Sequence, residues 1–144
     1  MSEFEDDQGL HEMAIGLLDA VPFASVLGIS ISRIRRGEAI LSLEVREEFK
    51  QNHGVVHGGV IASLIDTAAA LAVATVLGPG EASTTIDLTV HFLRPLRVGK
   101  VEAKASILRE GRNVIVISVE VEQQPSEIIA TGMTAFLRLK NDPG

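Results

Sequence analysis

Residues 52–77 read NHGVVHGGVIASLIDTAAALAVATVL, a glycine-containing loop that runs into a strongly apolar segment. A Gly-Pro-Gly sequence follows at 78–80 and is a strong stop signal, so we predict a helix over 58–77. Because a helix that is apolar on most of its faces is typical of a buried position, we expect this helix at the centre of the fold. Its polar side chains after Gly59 are Ser63, Asp66, Thr67 and Thr75.

Alternating apolar and polar residues predict strands on both sides of this helix. The expected strands are 28–36, 38–46, 82–92, 100–108, 113–122 and 128–139. A short amphipathic helix is expected at 10–21, ending at Pro22, and 47–56 is expected to be a polar loop. This element order predicts one α+β domain in which an antiparallel sheet curls around the long helix.

The strand at 82–92 is expected to alternate without interruption between two faces. One face would carry Ala82, Ile86, Leu88, Val90 and Phe92. The other, more polar face would carry Ser83, Thr85, Asp87, Thr89 and His91.

The composition excludes several kinds of chemistry. The 144 residues include no Cys, Trp or Tyr, while 46% of them are hydrophobic. Without cysteine, the chain has no disulfide scaffold, thiolate metal cluster or cysteine nucleophile. The lack of Tyr and Trp, together with a net charge of −6, argues against nucleic-acid binding. The reactive groups must therefore come from His, Asp, Glu, Lys and hydroxyl side chains.

The net negative charge belongs to the start of the chain. The other 13 of the 19 acidic residues match the 13 Lys and Arg in number, so the body of the chain is neutral. We expect an acidic segment with a short helix at 1–21, a single domain at 22–144, and a cytoplasmic location, since the start does not resemble a signal peptide. Six acidic residues precede the first basic residue: Glu3, Glu5, Asp6, Asp7, Glu12 and Asp19.

Two features of the segment 52–77 point to chemistry. A helix that begins at Gly58-Gly59 presents unpaired backbone N–H groups, which can bind an oxyanion or polarise a carbonyl oxygen. A tight loop-to-helix corner is the structural alternative. Asp66 places a carboxylate inside the apolar helix, which is costly unless it is bonded, paired or at a cleft. A solvated Asp on a polar stripe with Ser63 and Thr67 is the alternative to a functional carboxylate.

The spacing of these two features limits how they can cooperate. Gly58 and Asp66 are eight residues apart, which corresponds to about 12 Å along a helix. If both act on one reacting atom, two helices must run antiparallel across a twofold axis, and each must supply one half of the site. An isologous dimer has this geometry and creates two identical sites.

The remaining polar residues are weaker candidates. His53 and His57 are four residues apart, but no third ligand has a suitable spacing, and we expect no metal site. Thr85 can bond a substrate or a water, although a plain strand threonine is the commoner case. A group of basic residues near two strand ends is either solvated charge or a phosphate-binding rim. These residues are Arg94, Arg97, Lys100, Arg109 and Arg112.

The sequence NHGVVHGGV at 52–60, with Asp66-Thr67 further on, resembles the signature of hotdog-fold acyl-CoA thioesterases of the PaaI-like branch. The sequence IDLTVHFLRP at 86–95 is similar to the third strand of that family. The resemblance covers roughly 22–139. It implies a hotdog fold, an antiparallel sheet of five to six strands around one long helix, and hydrolysis of a coenzyme A thioester to a free acid and a thiol.

The resemblance also implies roles for individual residues. Asp66 would be the general base that activates water or the nucleophile that attacks the carbonyl. The backbone N–H of Gly58 would bind the thioester oxygen, and His57 would position the loop or the sulfur. Thr85, in preference to Thr84, would assist the water.

Further residues are implied to contact the substrate. Some members of the family carry an Asn six residues before the histidine that corresponds to His57. In this chain that position is Gln51, and the next residue is Asn52. Either amide can orient the carbonyl or the water. Gly59 would help to bind the substrate at the helix start. Three arginines are candidates for holding the phosphates of coenzyme A: Arg94, Arg112 and Arg109.

The resemblance implies self-association, because in the family the Asp and the Gly loop come from opposite protomers and dimers commonly pair into tetramers. It implies no cofactor beyond coenzyme A as part of the substrate, and no nucleic-acid or membrane partner. A non-catalytic acyl-CoA-binding or sensing module and a hotdog dehydratase or hydratase are the alternatives. The sequence does not identify the acyl group, and it does not decide between a thioester of coenzyme A and one of a carrier protein. The apolar residues around Ile61, Leu64 and Ile65 suggest that the acyl end is hydrophobic.

Overall fold

A computed structural model describes residues 7–123 and 126–140 of the chain. Glu3, Glu5 and Asp6 of the acidic segment lie outside the described residues, as do Gln124 and Pro125 of the last predicted turn. Two 3₁₀ turns, Glu47–Phe49 and Asn52–Gly54, occupy the predicted loop. The helices and strands in chain order are α1 (Gln8–Asp19), α2 (Pro22–Leu27), β1 (Ser30–Arg35), β2 (Glu38–Glu44), α3 (Gly58–Ala74), β3 (Glu81–Phe92), β4 (Lys100–Glu110), β5 (Val114–Gln123) and β6 (Glu127–Lys140).

The six strands form one antiparallel sheet in the order β1-β2-β4-β5-β6-β3. The long helix α3 packs across one face of this sheet and contacts β2, β3, β4, β5 and β6. This arrangement confirms the predicted α+β hotdog architecture, with one sheet around one central helix. Strands β1 and β3 form the two edges of the sheet within the described protomer.

Small side chains allow α3 to lie close to the sheet. Ala68, Ala69 and Ala72 of α3 are fully buried, and the helix passes over Gly132 of β6. A Cβ atom at Gly132 would lie 2.7 Å from Cγ2 of Ile65, so this close approach requires a glycine. The glycine therefore fixes how deeply the central helix sits in the sheet.

The three apolar residues predicted near the acyl group are all buried. Leu64 and Ile65 are 1% and 0% exposed and belong to the core that α3 forms with the sheet. Ile61, one turn earlier, also belongs to this core at 5% exposed, but it lines a pocket at the start of the helix. An acyl chain consequently has no access to Leu64 or Ile65, and an apolar acyl site must have other walls.

The prediction that β3 alternates between two faces along its whole length is wrong, because a β-bulge interrupts the strand. Its register with β6 shifts between Thr85 and Asp87, which leaves Ile86 unpaired as a β-bulge. Before the bulge Ser83 and Thr85 lie on the side of α3, and after it Val90 packs against the core. Because of the bulge, the polar side chain of Thr85 faces the central helix on the same side of the sheet as the apolar Val90.

The N-terminal part of the chain contains one helix more than predicted. The sequence indicated that Pro22 ends a helix, but this proline is the first residue of α2, a position that needs no backbone N–H. The preceding helix α1 buries Ala14 and Leu18 in the same core that α3 occupies. Among the described residues, no helix is long and apolar enough to cross a membrane.

Candidate active site

The start of α3 is capped by a histidine side chain. His57 is the N-cap residue, and its Nδ1 atom accepts a hydrogen bond of 2.8 Å from the backbone N–H of Gly59. The N–H of Val60 donates to the carbonyl oxygen of His57 at 3.0 Å. Among the hydrogen bonds of the described residues, none is donated by the N–H of Gly58. The helix start therefore offers one uncommitted donor at the positive end of its dipole.

This cap makes a prediction about stability. Replacing His57 with Ala removes the acceptor for the Gly59 N–H and is expected to lower the free energy of unfolding by about 1 kcal/mol. His57→Asn supplies a side-chain oxygen that caps helices well, and is expected to retain most of the stability. Urea unfolding of the two variants measures the difference. Equal losses in both would contradict a capping role for this side chain.

A pocket of about 340 Å³ opens beside the helix start. Gln51, Gly58, Phe92 and Arg94 are among the residues that line it. A Cβ at residue 58 would lie 3.0 Å from Cζ of the Phe92 ring, so the glycine leaves room for both the ring and an approaching ligand. Of the two amides that the sequence left open, Gln51 is the one that lines the pocket, whereas Asn52 lies in the neighbouring 3₁₀ turn.

The loop before α3 holds an uncommon backbone shape. His53 has a φ of 69°, in the left-handed region that favours glycine, although it is not a glycine. A hydrogen bond of 3.0 Å from Nη1 of Arg97 to the carbonyl oxygen of His53 supports this conformation. Arg97 is therefore tied to the loop that leads to the helix start.

Asp66 and Thr85 meet within one protomer. The Thr85 hydroxyl donates a hydrogen bond of 2.8 Å to Oδ1 of Asp66, and both residues are half-buried. No other hydrogen bond from the described residues reaches the Asp66 side chain, so Oδ2 remains available to a water or a substrate. Thr84 lies on the opposite, exposed face of β3. The bulge after Thr85 accounts for this pairing, which a strict alternation of faces does not predict.

The two halves of the candidate site are separate in one protomer. Both lie on the same straight helix, with Gly58 at its first residue and Asp66 about 12 Å further along its axis. Near the first half lie Gln51, Phe92 and Arg94, and near the second lies Thr85. A single small reacting group cannot touch both halves of one chain.

The candidate arginines occupy opposite ends of the protomer. Arg94 lies at the pocket beside Gly58 and also binds the carbonyl oxygen of Ile128 at 2.9 Å and the carboxylate of Glu127 at 3.2 Å. Arg109 lies near the end of β4 and Arg112 in the turn to β5. Arg138 bonds both the carbonyl oxygen of Gly111 in this turn and that of Val76, just after α3, so the turn lies at the end of α3 rather than at its start. The structure thus brings Arg94, but not Arg109 or Arg112, to the helix start of the same chain.

Sequence patterns alone missed Phe92 as a neighbour of the helix start. Its ring is more than half exposed and lies against Gly58, at the end of the long edge strand. A Gly-Gly helix start is the only sequence signal for such close packing, and it does not identify the partner. Within 7–123 and 126–140, no cluster of three or more His, Asp or Glu side chains is arranged to hold a metal ion.

Comparison with families and curated proteins gives consistent matches. A family model described as the thioesterase superfamily matches residues 53–130. A putative esterase of Halobacterium salinarum is 38% identical over 131 residues, which cover 82% of this chain and 85% of that protein. The medium/long-chain acyl-CoA thioesterase YigI of Salmonella typhimurium is 32% identical over 132 residues, which cover 81% of this chain and 85% of YigI.

Solved structures show the same similarity in three dimensions. The PaaI protein of the E. coli phenylacetic acid degradation operon matches with a TM-score of 0.83 at 27% identity, over 92% of this chain and 97% of PaaI. A thioesterase from Haemophilus influenzae matches with a TM-score of 0.82 at 28% identity, over 88% of each chain. The structural similarity therefore extends over most of the chain, and the range that the family model matches contains Gly58, Asp66 and Thr85.

Proposed function

The chain belongs to the thioesterase superfamily, with a PaaI-like hotdog fold, and we propose that it hydrolyses acyl-CoA thioesters at a site shared by two protomers. Family membership and the named relatives support thioester hydrolysis as the general reaction. The observation that carries the finer proposal is the hydrogen bond from Thr85 to Asp66, which orients a half-buried carboxylate on the central helix.

Asp66 supplies the group that starts the reaction. As a general base, its free carboxylate oxygen takes a proton from water, and the water oxygen forms a bond to the thioester carbonyl carbon. The C–S bond then breaks, the sulfur leaves as thiolate and takes up the proton, and the products are a free acid and coenzyme A. As a nucleophile, the carboxylate attacks the carbonyl carbon itself, and the C–S bond breaks to release the coenzyme A thiolate and leave an anhydride. Water then cleaves the anhydride, which frees the acid, regenerates the Asp66 carboxylate and supplies the proton that the thiolate takes up. Thr85 holds the carboxylate in position for either route.

Gly58 stabilises the charge that develops on the carbonyl oxygen. Its N–H lies at the start of α3 and donates no hydrogen bond to the described residues. The side chain of His57 accepts from the next N–H, that of Gly59, and so leaves the Gly58 N–H free for a substrate. A preorganised backbone donor at a helix start is well suited to an oxyanion, because it is in place before the charge develops. His57 acts through the cap, and Gln51 lies at the pocket where an amide can orient the carbonyl or the water.

Two protomers are needed to bring these groups together. The edge strand β3 is twelve residues long and pairs only with β6 among the described strands, so its outer edge has free backbone groups. Ile86 and Leu88 on this strand are exposed apolar residues. Pairing of β3 with its copy about a twofold axis runs the two α3 helices antiparallel, and Asp66 of one copy then faces the helix start of the other.

The coenzyme A end of the substrate is assigned to the pocket at the helix start. Arg94 is the candidate there for phosphate contacts. Gly59 does not line this pocket and its N–H donates to His57, so it is kept as a candidate only for packing against the substrate. Arg109 and Arg112 are retained as candidates only for a rim built by the assembly. The similarity to YigI, a medium/long-chain acyl-CoA thioesterase, supports acyl-CoA as the substrate. Pairing of dimers into tetramers and a cytoplasmic location stay predictions.

The experiment is a thiol-release assay on short, long and aromatic acyl-CoAs. Because the chain has no cysteine, a thiol reagent reports only the coenzyme A that is released. We expect catalytic turnover with at least one class of acyl group. Saturable acyl-CoA binding without thiol release would instead indicate a binding or sensing module. Formation of an enoyl product from a 3-hydroxyacyl thioester would indicate a dehydratase.

A further inference from the structure

An open apolar groove runs between α1, α3 and the start of β3. Its volume is about 470 Å³, which is within the usual range of small-molecule sites. Met13 and Leu17 of α1, one helical turn apart, form one wall together with Val21, the residue before α2. The facing wall on α3 consists of Thr67, Ala70 and Ala74, whose small side chains create the space.

The groove begins next to the Asp66–Thr85 pair, although neither of these two residues lines it. Ala70 is one turn after Asp66 on the same side of α3, and Thr67 is the next residue after Asp66. Across the groove, Ser83 of β3 lies on the same face of the strand as Thr85. The near end of the groove is therefore within one helical turn of Asp66, close enough for a chain attached to a carbonyl carbon beside Asp66 to enter it.

The far end of the groove is polar. Glu81 lines it and receives hydrogen bonds from Nη1 of Arg138 at 3.0 Å and from the backbone N–H of Gly78 at 3.1 Å. The Arg138 hydrogen bond, followed by that of Gly78, holds the pKa of Glu81 below its usual range, so its carboxylate stays charged. Arg138 is itself only 11% exposed and also pairs with Glu110. An apolar chain that reaches this end meets a fixed charge.

The length of the groove follows from the helix. Asp66 and Ala74, the last residue of α3, are eight residues apart, or about 12 Å along the axis. Carbons in an extended chain advance about 1.3 Å each, because C–C bonds of about 1.5 Å meet at tetrahedral angles. The groove along α3 therefore accommodates about nine carbons beyond the reacting carbonyl.

We propose that this groove binds the acyl chain of the substrate and selects linear aliphatic chains of medium length, an inference that rests on the proposed thioesterase function. Leu17 of α1 is 45% exposed in the empty groove. A bound acyl chain would cover this side chain. Aromatic and branched acyl groups are wider than a linear chain, so they fit less well between α1 and the small side chains of α3.

The first test is the dependence of kcat/KM on chain length. For the wild type, each methylene from butyryl-CoA to decanoyl-CoA is expected to raise kcat/KM about fourfold while it is buried in the groove. Ala74→Phe fills the groove beyond Ala70. It is expected to leave kcat/KM for butyryl-CoA within about twofold of wild type and to lower that for decanoyl-CoA by at least about tenfold.

A matched pair on α1 controls for general effects of exposed apolar residues. Leu17 and Ile15 are 45% and 42% exposed, but of the two only Leu17 lines the groove. Leu17→Ala is expected to lower kcat/KM for decanoyl-CoA several-fold, whereas Ile15→Ala is expected to leave it unchanged. Equal effects of the two substitutions, or an equal loss for butyryl-CoA and decanoyl-CoA, would overturn the proposal.

Failure of the groove assignment is distinguishable from failure of the enzyme assignment. If no acyl-CoA of any length is hydrolysed, calorimetric titration with decanoyl-CoA still tests the groove, and Ala74→Phe must then weaken binding at least about tenfold. If hydrolysis occurs with the same chain-length profile in wild type and Ala74→Phe, the enzyme assignment stands and the groove assignment is wrong. If Ala74→Phe alters only the oligomeric state, the groove is an interface between copies of the chain.

Discussion

Replacing Asp66 with Asn is expected to lower kcat for acyl-CoA hydrolysis by about three orders of magnitude. Asparagine has nearly the same shape and keeps an oxygen that can accept the hydrogen bond from Thr85, so the local structure is retained. It is neither a base for water nor a nucleophile for the carbonyl, so the step that starts the reaction is lost. Thiol release under saturating substrate measures the change.

Asp19 provides the matched control for this substitution. It is the exposed last residue of α1 and lines neither the pocket at the helix start nor the groove. Asp19→Asn removes the same charge and is expected to keep activity within about twofold of wild type, as is usual for a surface substitution. Full activity in Asp66→Asn, or equal losses in the two variants, would remove Asp66 from the mechanism.

Replacing Gly58 with Pro is the second change with a large expected effect. Residue 58 is the first residue of α3, where helices tolerate proline, and His57 has a ψ of 134°, which suits a residue before proline. The substitution therefore removes one backbone N–H with little disturbance to the helix. We expect kcat to fall about 10²–10³-fold, the usual cost of losing an oxyanion donor.

Gly58→Ala separates the lost donor from the added bulk. Alanine also adds a Cβ close to the Phe92 ring, but it keeps the N–H. The activity of Gly58→Pro relative to Gly58→Ala therefore isolates the contribution of the donor, provided that thermal unfolding shows both variants folded. Adding Phe92→Ala to both relieves the contact with the ring, and similar activity of the two double variants would argue against an oxyanion role for this N–H.

The sequence predicted the fold well because its signals were local and strong. The central helix was predicted from a long apolar run between a glycine-containing loop and a Gly-Pro-Gly stop, and it begins at Gly58 as predicted. It ends at Ala74 rather than at residue 77, since Thr75 caps it by donating to the carbonyl of Ala72. All six predicted strands are present, with bounds that differ by at most two residues at either end.

The candidate site was less accessible to sequence reasoning, because its contacts are between distant residues. Periodicity placed Thr85 on a polar face, but only the bulge at Ile86 turns that residue toward Asp66. The position of Phe92 against Gly58 depends on how β3 crosses the helix start, which no local pattern encodes. The groove under α1 is likewise the product of two amphipathic faces that meet only in the folded chain.

The central claim is that one site takes Asp66 from one protomer and Gly58 from the other, and a mixed dimer tests it most directly. Chains carrying Asp66→Asn and chains carrying Gly58→Pro are co-expressed with different affinity tags, and the heterodimer is isolated through both tags. In the heterodimer, a shared site pairs the intact Asp66 of one chain with the intact Gly58 of the other, so one of the two sites is restored. We predict about half of the wild-type activity per dimer, although each variant alone is nearly inactive. A heterodimer that is no more active than its two parents would contradict the shared site.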